Sequence, residues 1–302
     1  MPADTNTDNL RGYGFAVSAY VLWGFLPLYM KAMAHIPPGE VLIHRILWSV
    51  PIAGVILWAL GRTADLTAAL RSPRTLAMAA VTAALVSLNW GIYIWAIVTD
   101  HALDAALGYY INPLFSVFLG RVLLGERLNP AKWLAIALAA AAVVVLTAEA
   151  GRVPLVAVAL TLTWGFYAYF KKSLPVGPNQ GFLLEVLLLA PFALGFLIHG
   201  LVTGQGHFLA GAPQDTWLLI GSGVVTAVPL MLYANGAKLL RLSTIGILQY
   251  IAPTMIFLIA VFVFGETFGP ARMIAFPMIW LALVIYSASL LREARRKPVP
   301  VA

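Results

Sequence analysis

The amino-acid sequence predicts an all-α integral membrane protein with ten transmembrane helices in a 5+5 inverted-topology repeat. Three observations lead to this prediction. Hydrophobic residues make up 61% of the 302-residue chain and charged residues only 10%, whereas soluble domains carry about 25% charged residues. Apolar runs of about 18 to 25 residues, long enough to cross a bilayer as helices, recur along the chain. The two halves of the sequence also repeat one another.

The repeat has a nearly constant spacing. Tyr-Ile-Asn-Pro at 110–113 returns 140 residues later as Tyr-Ile-Ala-Pro at 250–253. Trp-Gly-Phe at 23–25 returns as Trp-Gly-Phe at 164–166, one residue out of that register. An internal repeat in an apolar chain is typical of a transporter whose two halves enclose a shared site.

The ten apolar runs divide equally between the halves. We expect a first five-helix repeat at 11–150, a second at 151–292 and a cytoplasmic tail at 293–302. Because each half has an odd number of spans, the second half must enter the membrane from the opposite side, which inverts the repeat. The predicted spans are 12–32, 40–60, 74–98, 102–124, 130–148, 154–172, 181–201, 216–237, 242–264 and 271–291.

The basic residues predict the orientation. With the N-terminus inside, all but four of the 19 Lys and Arg residues fall on the cytoplasmic side, the exceptions being Lys31, Arg45, Arg152 and Arg272. Positive charge concentrates on the cytoplasmic side of membrane proteins. Both termini are therefore expected in the cytoplasm. Since the basic residues stand singly at span ends, the net charge of +7 is assigned to topology and not to nucleic-acid binding.

The sequence offers little chemistry for a cofactor or a catalytic centre. It has no Cys, no His-Glu-x-x-His motif, no Asp-rich diphosphate motif and no pair of Asp residues inside a span. No metal, cofactor or catalytic residue is expected. A membrane-embedded enzyme and a non-transporting scaffold remain the alternatives to a transporter, and substrate flux would distinguish them.

Polar and aromatic side chains inside spans are the candidates for a substrate site, because burying them in lipid is costly unless they face a cavity or each other. Asn89 and Tyr93, for example, are four residues apart and share a helix face. Packing within the bundle is the alternative role for the aromatic residues. The predicted cavity-lining residues are Trp23, Asn89, Tyr93, Tyr110, Asn112, Trp164, Tyr233, Gln249 and Tyr250.

Two prolines occupy equivalent positions in the fourth and ninth spans. Pro113 and Pro253 each remove a backbone donor, which bends a helix and frees a carbonyl. Paired interruptions of this kind indicate helices that gate a transport site. Inherited kinks that only shape the bundle are the alternative.

A few titratable groups lie in or near spans. His44 and Glu185 are candidates for proton coupling, because a His and a Glu in the protein interior can exchange protons. A structural cluster with Glu40 and Arg45 near the membrane interface is the alternative. Glu266 is expected to be structural, accepting hydrogen bonds at the N-terminus of the helix that follows it.

The sequence resembles the drug/metabolite transporter superfamily, in particular its EamA-type members. The resemblance lies in the Trp-Gly pairs, the span prolines and the Gly-Glu pairs at 125–126 and 265–266. The segments 37–49 and 107–114 look like the RarD subfamily. The resemblance implies a permease of the bacterial inner membrane that exports small metabolites or drugs, amino-acid-like or amphenicol-like, through a cavity between its halves. Its partners would be the lipid bilayer, a small-molecule substrate and, as a candidate, protons; substrate, coupling ion and oligomeric state stay open.

Overall fold

The computed structural model describes residues 9–61, 63–124, 128–151, 153–210, 212–240 and 248–296. Within these ranges the regular structure is helical. The helices are α1 (Leu10–Ala32), α2 (Pro38–Ala59), α3 (Ala64–Leu70), α4 (Pro73–Val98), α5 (Ala102–Leu124), α6 (Pro130–Ala150), α7 (Leu155–Lys172), α8 (Pro178–Thr203), α9 (Pro213–Leu239), α10 (Ile251–Phe262) and α11 (Pro270–Arg296).

Most of these helices are suited to a membrane. Eight of them are long and apolar enough to cross one, and two further apolar helices, Leu155–Lys171 and Ile251–Phe262, are shorter. The predicted all-helical membrane protein is therefore confirmed. The short helix α3 was not predicted. Residues 242–247 of the predicted ninth span, the Gly-Glu pair at 125–126 and residues 297–302 of the predicted tail lie outside the described residues.

Local sequence sets where several helices begin. The side chains of Ser72 and Asn129 accept hydrogen bonds from the backbone N–H groups of Thr75 and Lys132, which caps α4 and α6. Proline opens many helices, because its missing N–H would be unpaired in the first turn anyway. The described examples are Pro38, Pro73, Pro130 and Pro213.

The outer surface of the bundle is apolar. Large side chains such as Phe192, Trp217 and Phe262 are more than two-thirds exposed. Such a surface would be unfavourable in water but is expected of helices that face lipid. The polar side chains of the spans instead lie mostly between helices.

Small residues let pairs of helices approach closely. A Cβ added to Gly24 of α1 would lie 2.5 Å from Met255 of α10, and one added to Gly165 of α7 would lie 2.4 Å from Phe115 of α5. These two contacts are related by the sequence repeat. Helices that must pack without a hydrophobic driving force commonly use glycine in this way.

Polar contacts join many helix termini at one end of the bundle, which we name the Ala32 end after the C-terminus of α1. Lys31 pairs with Asp100 at 2.5 Å, and Arg272 pairs with Asp104 at 3.1 Å. Glu266 accepts hydrogen bonds from the N–H groups at the start of α5. The prediction that Glu266 caps the following helix was wrong, because the C-terminus of α10 packs beside the N-terminus of α5. The opposite end is named the Leu10 end.

The helix contacts follow one pattern in both halves. Helix α1 packs on α9 and α10, and its counterpart α7 packs on α4 and α5. Three further pairs join counterparts directly, namely α2 with α8, α5 with α10 and α6 with α11. Helices from both halves therefore surround the centre of the bundle.

Candidate functional site

A cavity of about 130 Å³ lies at the centre of the bundle. Seven helices contribute to its wall, from α1, α2, α4 and α5 of the first half and α7, α9 and α10 of the second. The described residues that line it are Tyr20, Trp23, Leu26, Arg45, Asn89, Trp90, Tyr93, Tyr109, Asn112, Trp164, Thr226, Leu230, Tyr233, Gln249, Ala252, Pro253 and Ile256.

The structure brings most of the predicted site residues together in this wall. Trp23, Asn89, Tyr93, Asn112, Trp164, Tyr233 and Gln249 all line the cavity. Tyr110 and Tyr250 are not among the described lining residues. These seven side chains come from six different segments of the chain, and the helical period places them on the faces that point inward.

Aromatic rings form much of the wall. In one cluster, Tyr20, Trp23 and Tyr233 contact one another with ring centroids 5.6 to 5.9 Å apart. In a second cluster, Tyr109 contacts Tyr93 at 5.8 Å and Trp164 at 6.4 Å. Edge and tilted contacts at these distances are favourable for aromatic pairs. The rings offer a flat, mostly apolar surface to a bound molecule.

Asn89 ties three helices together at the edge of the cavity. Its Nδ2 donates to the carbonyl of Leu160 at 3.2 Å and to the hydroxyl of Thr163 at 2.9 Å, both on α7. Its Oδ1 accepts a hydrogen bond from Tyr109 of α5 at 3.2 Å. The amide is thus engaged by protein, and its main contribution is to hold α4, α5 and α7 in register.

Other polar atoms of the wall lack protein partners. The hydroxyl of Tyr93 and both side-chain polar atoms of Asn112 are buried without a hydrogen bond to any described residue. An unmatched buried polar atom costs about 1–3 kcal/mol. Such atoms are therefore suited to bonding a molecule that enters the cavity.

Arg45 is a cavity residue that the sequence analysis did not assign to the site. It is 3% exposed, and its Nε donates to the hydroxyl of Thr226 at 2.9 Å. Its guanidinium lies over the ring of Trp90, 5.0 Å from the centroid. Because Arg45 is near the start of a span, its side chain was expected to reach water at the membrane interface. In the structure, α2 directs this side chain inward.

Other lining residues were also missed. Tyr109 adjoins the predicted Tyr110, but neighbouring residues on a helix point about 100° apart, and of these two only Tyr109 lines the cavity. Tyr110 instead donates a hydrogen bond to Thr254 of α10 at 2.8 Å and packs on Phe276 of α11. Tyr250 packs against the main hydrophobic core.

The two prolines differ in their setting. Pro113 lies inside the continuous helix α5. Pro253 lines the cavity and stands in the first turn of α10, which begins at Ile251. A proline in a first turn breaks no hydrogen bond. The repeat therefore places the same residue within a helix in one half and at a helix start in the other.

His44 and Glu185 lie outside the cavity wall. The Nδ1 of His44 accepts a hydrogen bond from the indole of Trp48 at 3.1 Å, and its ring contacts Phe208. Glu185 is fully buried and pairs with Lys171 at 2.6 Å. The two groups do not contact one another.

Glu40 and His44 are close to Arg45 in the sequence, but their side chains make different contacts. The carboxylate of Glu40 accepts hydrogen bonds from the backbone of His207, at 2.6 Å, and of Phe208, at 3.1 Å. It thereby anchors the loop between α8 and α9. Among the described residues, no group of three or more His, Cys, Asp or Glu side chains is placed to hold a metal ion.

Known proteins resemble the chain along most of its length. The EamA-like transporter family matches residues 10–148. A Vibrio cholerae protein named "Uncharacterized transporter" is 42% identical over 93% of each chain. Protein RarD of Streptomyces exfoliatus is 39% identical over 94% of this chain and 90% of its own, and Protein RarD of Escherichia coli K12 is 37% identical over 95% and 97%.

A solved structure shares the fold. One crystal structure matches with a TM-score of 0.58 over 94% of this chain and 99% of its own, at 22% sequence identity. At that identity the likeness concerns the arrangement of helices alone.

Proposed function

This chain belongs to the EamA-like transporter family of the drug/metabolite transporter superfamily, in its RarD-like branch, and we propose that it exports small organic molecules by alternating access. It is a multi-pass protein of the bacterial inner membrane, as its apolar helices and its relatives indicate. Amino-acid-like or amphenicol-like compounds are the proposed substrate range. The protein acts as a secondary transporter without a cofactor.

The central cavity is the observation that carries this proposal. It lies between helices of both halves, and its wall combines aromatic rings with polar atoms that lack protein partners. Small-molecule sites have this composition, a mostly apolar wall with a few polar groups that fix orientation. We assign substrate binding to the lining residues Trp23, Tyr93, Asn112, Trp164, Tyr233 and Gln249, with Asn89 holding the wall in place.

We also propose that the chain has ten spans in two inverted repeats, at 11–150 and 151–292. Counterpart helices that run in opposite directions support this topology. The C-terminal Glu149 of α6 contacts Ala271 at the start of α11, while Asn129 before α6 contacts Ser289 near the end of α11. Helices α6 and α11 are therefore antiparallel, as an inverted repeat requires.

The proposed orientation places the Leu10 end in the cytoplasm and the Ala32 end outside. Its support is the distribution of Lys and Arg along the sequence. The C-terminal tail at 293–302 would then begin as the last turn of α11 and lie in the cytoplasm.

Alternating access requires contacts that open at one end while the other end closes. At the Ala32 end, the proposed gate includes the pairs Lys31–Asp100 and Arg272–Asp104. Pro113 and Pro253 shape the helices that move, α5 and α10. Tyr110 lies on α5 and Tyr250 directly precedes α10, and both act through packing.

Proton coupling is the proposed role of His44 and Glu185. Each is a titratable group buried between helices away from the cavity. Coupling would act by changing helix packing when a proton binds, and not by contact with the substrate.

Flux through reconstituted protein tests the proposed function. Purified protein in proteoliposomes would be given a panel of labelled amino acids and amphenicols, with and without a pH gradient. We expect saturable flux of at least one compound, lost in Tyr93→Ala and in Asn112→Ala. Absence of flux for the whole panel would contradict the transporter proposal, and flux unchanged by the gradient would contradict proton coupling.

A further inference from the structure

We propose that Arg45 binds a carboxylate of the substrate, so that the transported molecules are small monoanions or zwitterions with an apolar or aromatic body. This inference rests on the proposed transport function and names its substrate class. It starts from the charge of the cavity wall, which the described residues leave unbalanced.

The guanidinium of Arg45, a residue of the cavity wall, has donors without a partner among the described residues. An arginine has five N–H donors. Its Nε is used by Thr226, but its Nη1 is buried without a hydrogen bond to any described residue. Thr226 and Trp90 hold the guanidinium in place from the side. The group is thus fixed in position with part of its fork free, as a bidentate partner of a carboxylate would require.

No described carboxylate balances this charge. None of the described lining residues is Asp or Glu. Glu40, five residues earlier on the same helix, is held by the backbone and side chain of His207. Glu185, which occupies the position equivalent to Arg45 in the second half, pairs with Lys171. An unpaired charge in a membrane interior is unfavourable, so the residue is expected to have a functional partner.

Since no described carboxylate serves, the partner is an anion carried by a bound molecule, and its charge is limited. One guanidinium compensates one negative charge, which favours a carboxylate over a doubly charged phosphate. Tyr93 lines the same cavity as Arg45, and its hydroxyl, which has no partner among the described residues, can donate to the same anion. A cation without an acidic group would be repelled by Arg45.

The rest of the cavity selects the body of the molecule. Its volume of about 130 Å³ is close to that of an engineered cavity of about 150 Å³ that binds benzene. Trp164 and Trp23 supply aromatic rings to its wall. Benzoate, which joins one ring to one carboxylate, is therefore a suitable probe, and benzamide is its neutral counterpart of nearly the same shape.

Binding would be measured by thermal unfolding of the full-length protein in detergent. A ligand that binds the folded state raises the midpoint as its concentration rises. We expect benzoate to raise the midpoint of the wild type and benzamide to have little effect. Arg45→Gln should weaken benzoate about tenfold to a hundredfold, since it removes charge-assisted hydrogen bonds. Arg74→Gln removes an exposed arginine in the first turn of α4 and should keep the wild-type response.

Two further variants separate binding from folding. Arg45→Lys keeps the charge but not the fork, and should bind benzoate with intermediate affinity. Arg45→Gln without ligand should unfold at the wild-type midpoint or above it, because it removes an uncompensated buried charge. A marked fall of that midpoint would mean that Arg45 is structural and would overturn the proposal.

The remaining outcomes are equally decisive. Equal effects of benzoate and benzamide, no effect of benzoate on the wild type, or an unchanged benzoate response in Arg45→Gln would each overturn the carboxylate assignment. Flux of a neutral compound that Arg45→Gln leaves intact would overturn it while the transporter proposal stands. Benzoate binding through Arg45 with no flux of any compound would support this assignment and contradict transport.

Discussion

The carboxylate of Glu266 accepts a hydrogen bond from the backbone N–H of Ala102 at 2.6 Å. A second bond of 3.0 Å comes from the N–H of Leu103. The residue thus follows α10 in sequence but caps α5, its counterpart in the other half. Since a carboxylate also complements the positive N-terminus of a helix, this contact stabilises the junction of the two halves at the Ala32 end.

Glu266→Ala should destabilise the protein by about 1–3 kcal/mol, because two backbone N–H groups lose a charged acceptor. Glu266→Gln keeps one acceptor oxygen and should cost less. Thermal unfolding in detergent would measure both. Glu149→Ala is the matched control, since Glu149 makes only a 3.4 Å contact to the start of α11. Equal effects at Glu149 and Glu266 would argue against the capping role.

Because Lys171 and Glu185 form an ion pair, the effect on stability of replacing one partner should depend strongly on whether the other is present. Glu185 is fully buried and also accepts a hydrogen bond from Tyr167 at 3.3 Å. Lys171→Met should cost about 3–5 kcal/mol, since it leaves a buried carboxylate unpaired. Adding Glu185→Gln should recover much of that loss. Additive effects of the two substitutions on unfolding would show that the pair is not coupled.

Close helix contact at Gly223 predicts a steric effect. A Cβ added to this residue of α9 would lie 2.4 Å from the backbone carbonyl carbon of Trp48 on α2. Gly223→Ala should therefore force α2 and α9 apart and cost about 1–3 kcal/mol. Gly195→Ala, where nothing lies within 4 Å, should change the unfolding midpoint little. A similar midpoint for both variants would contradict this close packing.

The sequence predicted the helices well because membrane spans depend on simple rules of length and hydropathy. Most described spans begin and end within a few residues of their predicted positions, as in α5, predicted and found at 102–124. The exception is α10, which begins at Ile251 where the ninth span was predicted to begin at 242. The short helix α3 was missed because it lies between spans, where apolar length gives no signal. The capping of α5 by Glu266 was missed because it depends on which helix ends meet in space.

The site was predictable in part. Polar residues in the middle of predicted spans, such as Asn112 and Gln249, could be identified from the sequence because polar side chains are unfavourable in lipid. Arg45 was not, because a basic residue near a span end is usually at the interface, and only the packing of α2 on α9 turns it inward. The choice between Tyr109 and Tyr110 depended on a helix rotation that the sequence does not fix.

Trp164→Ala should lower transport of a carried compound by about tenfold or more, because it removes a ring that faces the cavity. Trp217→Ala is the matched control. Trp217 is 71% exposed on the outer surface, and its loss should leave transport near the wild-type rate. Both rates would be measured in proteoliposomes at equal protein content. Equal losses of transport in the two variants would mean that the effect comes from removing any packed tryptophan and not from the cavity.

Accessibility of the cavity from the two sides tests the central claim most directly. The chain contains no Cys, so Ala252→Cys places a single thiol in the cavity wall without background. The measurement is its labelling by a membrane-impermeant thiol reagent in right-side-out and inside-out vesicles, with Gln205→Cys at the Ala32 end as the one-sided control. Alternating access predicts labelling of Ala252→Cys from both sides and of Gln205→Cys from the outside only. Labelling of Ala252→Cys from one side alone, or from neither, would contradict a cavity that opens in turn to each side of the membrane.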